Sequence, residues 1–380
     1  MQICCDLNQR RNWRFQVIQN KEILIVGAGP VGLAAAIEIK RRGGTPRIID
    51  SGAAANPNSR ALAINPRTLD LLEPSGATPK LIAAGLKIRK LVVRRDERII
   101  ARLDLSIIPH KYNFLLSLAQ HETEVILAQC LAQQGIQVER NLALISLEMT
   151  PKPHAKLSNG ETYLPDFIIG ADGSHSLVRK SLGINFTGET DEDQFGLADV
   201  TLENWPFDFE TVVLTVMDDH LAPFLPLAEN FGRMITTRTD CLHNLPKDAV
   251  VKAVAWETDF KISYRQAETY QKQNAFIAGD AAHIHSPVGG RGMNLGIEDA
   301  CWLAWLMDQG RENEYTQLRH PIGKQVLKLT HAFTRFAKTR GLVQNLIVFV
   351  GLPILAQLPF MQRRLLRNLT AQNTPPPPWL

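Results

Sequence analysis

Apolar and polar positions along this chain mark out three separate strand-to-helix passages, with a block of alternating segments before the last. Glu22 to Val26 (EILIV) is a short β-branched run of the kind that fills a buried parallel strand. It leads into Gly27-Ala28-Gly29-Pro30-Val31-Gly32 and then LAAAIEIKRRGG, a helix closed by Gly43-Gly44. Thr45 to Ile49 resumes as a strand and stops at Asp50. Ser117 to Gly135 has an amphipathic helical pattern with Gly135 as C-cap and Gln120 near its start. Pro165 to Gly183 (PDFIIGADGSHSLVRKSLG) repeats strand, turn and helix, with Asp172-Gly173 in the turn and Ser176 and Arg179 on the first helical turns. FGLADVTLE, ETVVLTVM, HLAPFLPLAE, FGRMITTRT and WETDFKISYRQA then alternate in short segments, which predicts an antiparallel sheet. The third passage, FIAGDAAHIHSPVGGRGMNLGIEDA (Phe276 to Ala300), holds a strand, an acid, two histidines, a glycine-rich loop and a helix.

The C-terminal region has a different character. Leu346 to Leu358 is its longest apolar stretch, too short to span a bilayer comfortably and broken by Gly351 and Pro353. From Arg311 onward ten basic residues face two acidic ones. Helices docked on the protein's own core are the favoured reading, and an interfacial membrane patch is second. The terminal PPPPWL is expected to be exposed and extended. With 380 residues there is room for two domains, or for one with an insertion. The net charge of +4 gives no case for nucleic acid. Five scattered cysteines without CxxC spacing fit reduced thiols in a cytoplasmic protein. The opening twenty residues lack the apolar core of a secretory signal and are expected to form an extension.

The first passage carries the most specific chemistry. Gly27 permits a tight turn, Gly29 lets backbone approach a pyrophosphate, and Gly32 lets helix and strand pack closely. Pro30 opens the helix, whose N-terminal N–H groups favour phosphate. Asp50, eighteen positions beyond Gly32, can accept hydrogen bonds from a ribose. A dinucleotide site follows, and the motif alone leaves FAD and NAD(P) open. The next loop and helix offer Arg60 and Arg67, with a solvated helix start as the plainer alternative.

Taken together, GAGPVG with its distal acid, GADGSHSLVR and GDAAHIHSPVGGRGMN resemble the flavin-dependent aromatic monooxygenases with the para-hydroxybenzoate hydroxylase fold. The resemblance runs from about Glu22 to the end of GMNLGIEDA. Asp50 stands where many members carry glutamate. The implied class is α/β: a Rossmann-like FAD-binding domain with an inserted antiparallel-sheet substrate domain and C-terminal helices. The expected order is an extension (1–21), FAD-binding parts at 22–90, 110–185 and 266–310, substrate-domain parts at 91–109 and 186–265, and a helical region and tail at 311–380.

The resemblance also implies roles. Gly279 and Asp280 form the G-D motif, whose acid binds the flavin ribityl chain. Gly289 to Gly292, with Gly290 and Gly292 in particular, lie along the isoalloxazine, and the backbone at Met293 and Asn294 faces its pyrimidine edge. Pro287 sits at the boundary of flavin and substrate, while Arg60 and Gln120 contact the phosphate and ribityl side. Asp172 acts near the pyrophosphate, in a turn also tied to NAD(P)H use. Phe224, Leu225 and Pro226 are candidates for the substrate pocket, with plain sheet core as the alternative. His283 reads as a group behind the cofactor, the His283/His285 pair is not read as a metal fragment, and no metal is expected. Trp302 and Trp305 read as core.

The implied reaction is hydroxylation of an aromatic or polyketide-like ring with NADH or NADPH and dioxygen, through a flavin hydroperoxide. No side chain can be named as general base. A quinone-ring hydroxylase working at a membrane surface is the nearest alternative, although membrane contact is not favoured. A flavin-binding protein without turnover is the alternative from another class.

Overall fold

The computed structural model describes residues 18–95, 97–203, 205–217, 220–244, 249–287, 289–338 and 346–380. Most of the expected N-terminal extension and Val288 of the glycine-rich loop lie outside the described residues.

The continuous apolar run Glu22–Val26 forms a central strand, flanked on both sides by parallel neighbours and buried from Ile23 to Val26. Its sheet has six strands in the order Gln271–Lys272, Ala275–Ile277, Phe167–Gly170, Glu22–Val26, Thr45–Ile49, Val138–Glu139. All pairings are parallel except the first. Burying each of Ile23, Leu24 and Ile25 contributes about 1.5–3 kcal/mol of apolar transfer. The helices Pro30–Arg41 and Gly292–Asp308 pack against each other on this sheet.

Register matters more than strand content here. Val26 is paired with both Ile49 and Gly170, and Gly170 with Ile277. The four strands therefore end in line, and Gly27, Asp50, Ala171 and Ala278 all emerge from one carboxyl edge. That edge is where open α/β sheets bind ligands.

The alternating segments form an eight-stranded sheet built on two long antiparallel strands, Phe186–Glu203 and Val250–Ala267. The hairpin Lys90–Arg95 and Arg98–Asp104 joins its far edge by parallel pairing with Thr211–Val216. At the near edge the strand His283–Ile284 pairs with Arg265 and Gln266, so the sheet is continuous with the chain just after the G-D motif. Its two faces bury different clusters. Phe224, Met234 and Trp205 lie on one, and Phe195, Leu197 and Phe260 on the other.

Helix Tyr315–Lys338 follows, and the C-terminal segment ends in helix Pro359–Leu369 and the proline tail. Pro375, Pro376, Pro378 and Leu380 of the tail are exposed as expected, but Trp379 departs from expectation. Trp379 stacks on Trp305 at 4.9 Å between ring centroids and meets the edge of Trp302 at 5.1 Å. Aromatic area outweighs the openness of the proline run. Arg67 departs from its plainer reading as well. Instead of marking a solvated helix start, it is buried and donates to the carbonyls of Thr374 and Pro375 at 3.3 and 3.0 Å.

Candidate cofactor site

The three passages converge at the start of helix Pro30–Arg41. Gly27 has φ +101°, and a Cβ there would lie 2.4 Å from the Ala171 carbonyl oxygen, so the first glycine touches the GADG turn. A Cβ on Gly32 would lie 1.9 Å from the Gly27 oxygen. A Cβ on Gly279 or Gly296 would strike Val31 at 2.8 or 2.6 Å, which ties the G-D turn and the last helix to the same point. Gly29 differs: a methyl there meets no protein atom within 4 Å. Two of the motif's glycines are demanded by the protein's own packing, while the middle one leaves backbone accessible.

Acids ring this point. Asp50 accepts from the N–H of Ala28 at Oδ2 and of Gly52 at Oδ1, both 2.7 Å, with Arg140 3.5 Å from Oδ1. These bonds fix the loop, and a carboxylate still has lone pairs to offer a hydroxyl. Asp172 caps helix Leu177–Ser181 by accepting from the N–H groups of Leu177 and Val178 at 2.7 and 3.2 Å. Among the described residues its buried Oδ1 has no hydrogen-bond partner. Burial raises its pKa, tempered by the hydrogen bonds it accepts. Asp280 is solvent-accessible, and the protein packed round its carboxyl raises its pKa while the charges of His283 and Arg60 pull it down. The Arg60 guanidinium covers the Phe260 ring at 4.6 Å.

Gln120 begins helix Gln120–Gln133, and its amide donates to Glu124 at 2.8 Å. Glu124 is buried, which raises its pKa, and it feels the charges of Arg140 and Asp50. This buried acid beside Gln120 is missed from sequence because it reads as one more polar helix position.

In the glycine-rich loop the Gly290 N–H donates to the Pro287 carbonyl at 2.9 Å, closing a turn, and Gly289 and Gly290 have φ +87° and +60°. The Asn294 side chain is the loop's latch. Its Nδ2 donates to the carbonyls of Ala63 and Gly290, both 2.7 Å, and its Oδ1 accepts from the Asn65 N–H at 2.9 Å. The side chain is thus spent on holding backbone, and the first N–H groups of helix Gly292–Asp308, including those of Met293 and Asn294, have no intrahelical partner. Arg291, also buried, donates to Asn368 O at 3.1 Å and to Asn373 Oδ1 at 3.2 Å.

Behind the loop lies a buried charged network. His283 Nε2 is 2.5 Å from Asp299 Oδ2, Arg319 Nε donates to Asp299 Oδ1 at 2.7 Å, and Arg319 Nη1 to Glu298 at 2.8 Å. Burial alone would raise the Asp299 carboxyl, but the charges and hydrogen bonds of Arg319 and His283 outweigh it and hold it low. Burial pushes His285 down to about 4, with His283 adding to the shift, so it is neutral at pH 7. No group of three metal-ligating side chains forms among the described residues.

On the substrate side, Phe224 opposes Met234 and Leu225 opposes Arg233. Opposed residues share a face. Phe224 is therefore packed in the sheet's own core, 4.6 Å from the Trp205 ring, whereas Leu225 shares the face of Arg233. Pro226 is buried, and its carbonyl accepts from Ser117 Oγ at 2.5 Å. Arg233 forms a bidentate pair with Asp199 at 2.6 and 2.8 Å and donates to the carbonyls of Ser59 and Arg60 at 2.7 and 2.8 Å. This buried clamp holds the loop bearing Arg60 against the sheet. Nothing local in FGRMITTRT distinguishes it from an exposed strand arginine.

The residue set fits FAD: accessible backbone at Gly29, an orphaned acid oxygen at Asp172, an acid at Asp280 without a hydrogen-bond partner among the described residues, and a helix N-terminus behind a glycine loop. Comparison with known proteins agrees. The family model described as "FAD binding domain" matches residues 20–238 and 233–330. Pentachlorophenol 4-monooxygenase of Sphingobium chlorophenolicum is 31% identical over 84% of this chain and 65% of its own length. The chain therefore spans slightly under two thirds of that relative. The 6-methylpretetramide 4-monooxygenase of Streptomyces rimosus is 31% identical over 92% of this chain and 68% of its own. Among solved structures, a Diels-Alderase in the biosynthetic pathway of pyrroindomycins superposes with a TM-score of 0.77 at 25% identity, over 92% of this chain and 80% of its own. The chain belongs to the FAD-binding-domain family of flavin-dependent aromatic monooxygenases.

Proposed function

We propose that this protein binds FAD at the carboxyl edge of its six-stranded sheet and uses NAD(P)H and dioxygen to hydroxylate an aromatic or polyketide-like ring. The observation that carries the reading is the convergence of Gly27, Ala171, Gly279 and Gly296 on one helix start. Two relatives named as 4-monooxygenases, one of a chlorinated phenol and one of a pretetramide, support the substrate class. FAD, when bound, supplies hydride acceptance from a nicotinamide and activation of dioxygen.

The chain's own residues supply the setting. Asp280 accepts from a cofactor hydroxyl, and Asp50 from a ribose. The N–H groups at the start of helix Gly292–Asp308 face developing negative charge, which a helix N-terminus stabilises. Neutral His285 adds no competing charge behind the loop. The sheet face carrying Leu225, Leu197 and Phe260 excludes water from the reacting ring.

Asp280→Ala should weaken FAD binding on the order of 10- to 100-fold, because a hydrogen bond to a charged acceptor contributes about 1.5–3 kcal/mol. Thermal stability without FAD should not fall. Fluorescence titration with FAD measures the first effect, and unchanged affinity would remove Asp280 from the cofactor's contacts.

For the reaction itself, purified protein with NADH or NADPH should consume dioxygen, and a good aromatic substrate should accelerate bleaching of the flavin. A poorly filling aromatic should divert reducing equivalents to hydrogen peroxide, since exclusion of water then fails. If no member of a panel of phenols, quinones and polycyclic aromatics raises the rate of flavin reduction, the hydroxylase reading fails. A flavoprotein without redox turnover then takes its place.

A further inference from the structure

The surface of the C-terminal segment is built the wrong way round for water. Its inner side is ordinary: Val348 packs against Val93, Ala101 and Val216, and Leu366 against Leu103, Leu105 and Ile108. Its outer side is also apolar, with Ile347 46%, Val350 48%, Ile354 53%, Leu358 37% and Phe360 70% exposed. Ile347, Val350 and Ile354 recur at three- and four-residue steps along the helical stretch Ile347–Gln357, and Leu358 follows at its end. A helix facing water puts polar residues there. The next helix, Pro359–Leu369, continues the surface with exposed Phe360, Arg363, Arg364 and Arg367 at i, i+3, i+4 and i+7. Residues 346–380 contain no Asp or Glu.

We infer that this face is a docking surface for an anionic lipid bilayer, with the aliphatic stripe and Phe360 seated among the acyl chains and the arginines at the headgroups. Among the described residues no helix is long and apolar enough to cross a membrane, so the contact lies in the interface plane. Charge decides the occupant. A second copy of this chain meeting across a two-fold axis would bring two arginine stripes together with no acid on either segment. Anionic headgroups supply the missing countercharge. The inference is independent of the redox reading, and its test needs no substrate.

The full chain should co-sediment with vesicles of phosphatidylcholine containing about one-third phosphatidylglycerol, and much less with phosphatidylcholine alone. R363Q/R364Q/R367Q should weaken binding to the anionic vesicles on the order of 100-fold, roughly fivefold per arginine. I354S/F360S should abolish the binding that persists at about 1 M salt, where charge is screened. All five positions are exposed, so thermal melts of both variants should match the parent within a few degrees. Equal binding to both vesicle types, or indifference to the arginine changes, would overturn the proposal. So would absence of vesicle binding together with a concentration-dependent dimer that I354S/F360S dissolves, which would assign the face to a second copy.

Discussion

Arg319→Leu is expected to destabilise the protein by about 3–5 kcal/mol at neutral pH, the largest single-residue effect anticipated for stability. Arg319 is buried, and its guanidinium pairs with Asp299 at 2.7 Å and Glu298 at 2.8 Å, both buried as well. Leucine fills similar space but leaves two carboxylates without their cation. The cost is that of the unpaired charges rather than the worth of the pair. The sign of the pH dependence follows. In the parent, Asp299 has a lowered folded pKa, so its contribution is present above the ordinary carboxylate range and is lost as pH falls through the lowered value. Without Arg319, burial dominates and the carboxyl rises, so the variant's deficit should shrink as pH falls toward about 5. Urea unfolding at two pH values measures both quantities. A deficit below about 1 kcal/mol, or one that grows in acid, would show that the network is not held together as described. Since His283 shares Asp299, the variant should also loosen the strand that joins the large sheet to the G-D turn.

Gly32→Val should eliminate FAD retention, whereas Gly29→Ala should separate binding from stability. At position 32 any Cβ sits 1.9 Å from the Gly27 oxygen, against backbone that cannot rotate away. The phosphate loop must shift by more than 1 Å, and overpacking of this kind costs about 1–3 kcal/mol even before a ligand is added. Gel filtration should yield colourless protein with a lowered melting temperature. At position 29 the added methyl touches nothing, and φ is −71°, which alanine adopts freely. Stability without cofactor should stay within about 0.5 kcal/mol of the parent, while FAD affinity falls because the methyl occupies the approach to the helix N-terminus. Full FAD affinity in Gly29→Ala would place the pyrophosphate elsewhere.

These contrasts also mark what could be read in the chain alone. The nucleotide half was legible because its constraints are local. EILIV is apolar without interruption since a central parallel strand is covered on both faces, and the spacing of Gly27, Gly29 and Gly32 follows from one strand-turn-helix unit. Helix Gln120–Gln133 obeys the same short-range rules. The antiparallel character of the middle came from period-two alternation, but its faces did not. Which of Phe224 and Leu225 faces the first domain depends on pairing with Met234 and Arg233, and the register shifts between Asp199 and Leu202 are invisible to periodicity.

The remaining features were decided only when distant segments met. Arg67 reads as a solvated helix start until the backbone of Thr374 and Pro375 arrives to take its hydrogens. PPPPWL reads as a free tail until Trp302 and Trp305 offer Trp379 a ring to stack on. Arg233, Glu124 and Arg319 look like surface charges in sequence, because a charged residue becomes structural only through a partner that no local pattern announces. Burial of a charge is tolerated when its counterion and carbonyls are brought from elsewhere. The sequence by itself therefore determined the strand-turn-helix unit and its glycine spacing, a matter of φ angles within one unit. The tertiary structure alone decided which charges are buried, which face of the sheet looks at the site and what clasps the glycine loop, because each rests on contacts between residues far apart in the chain.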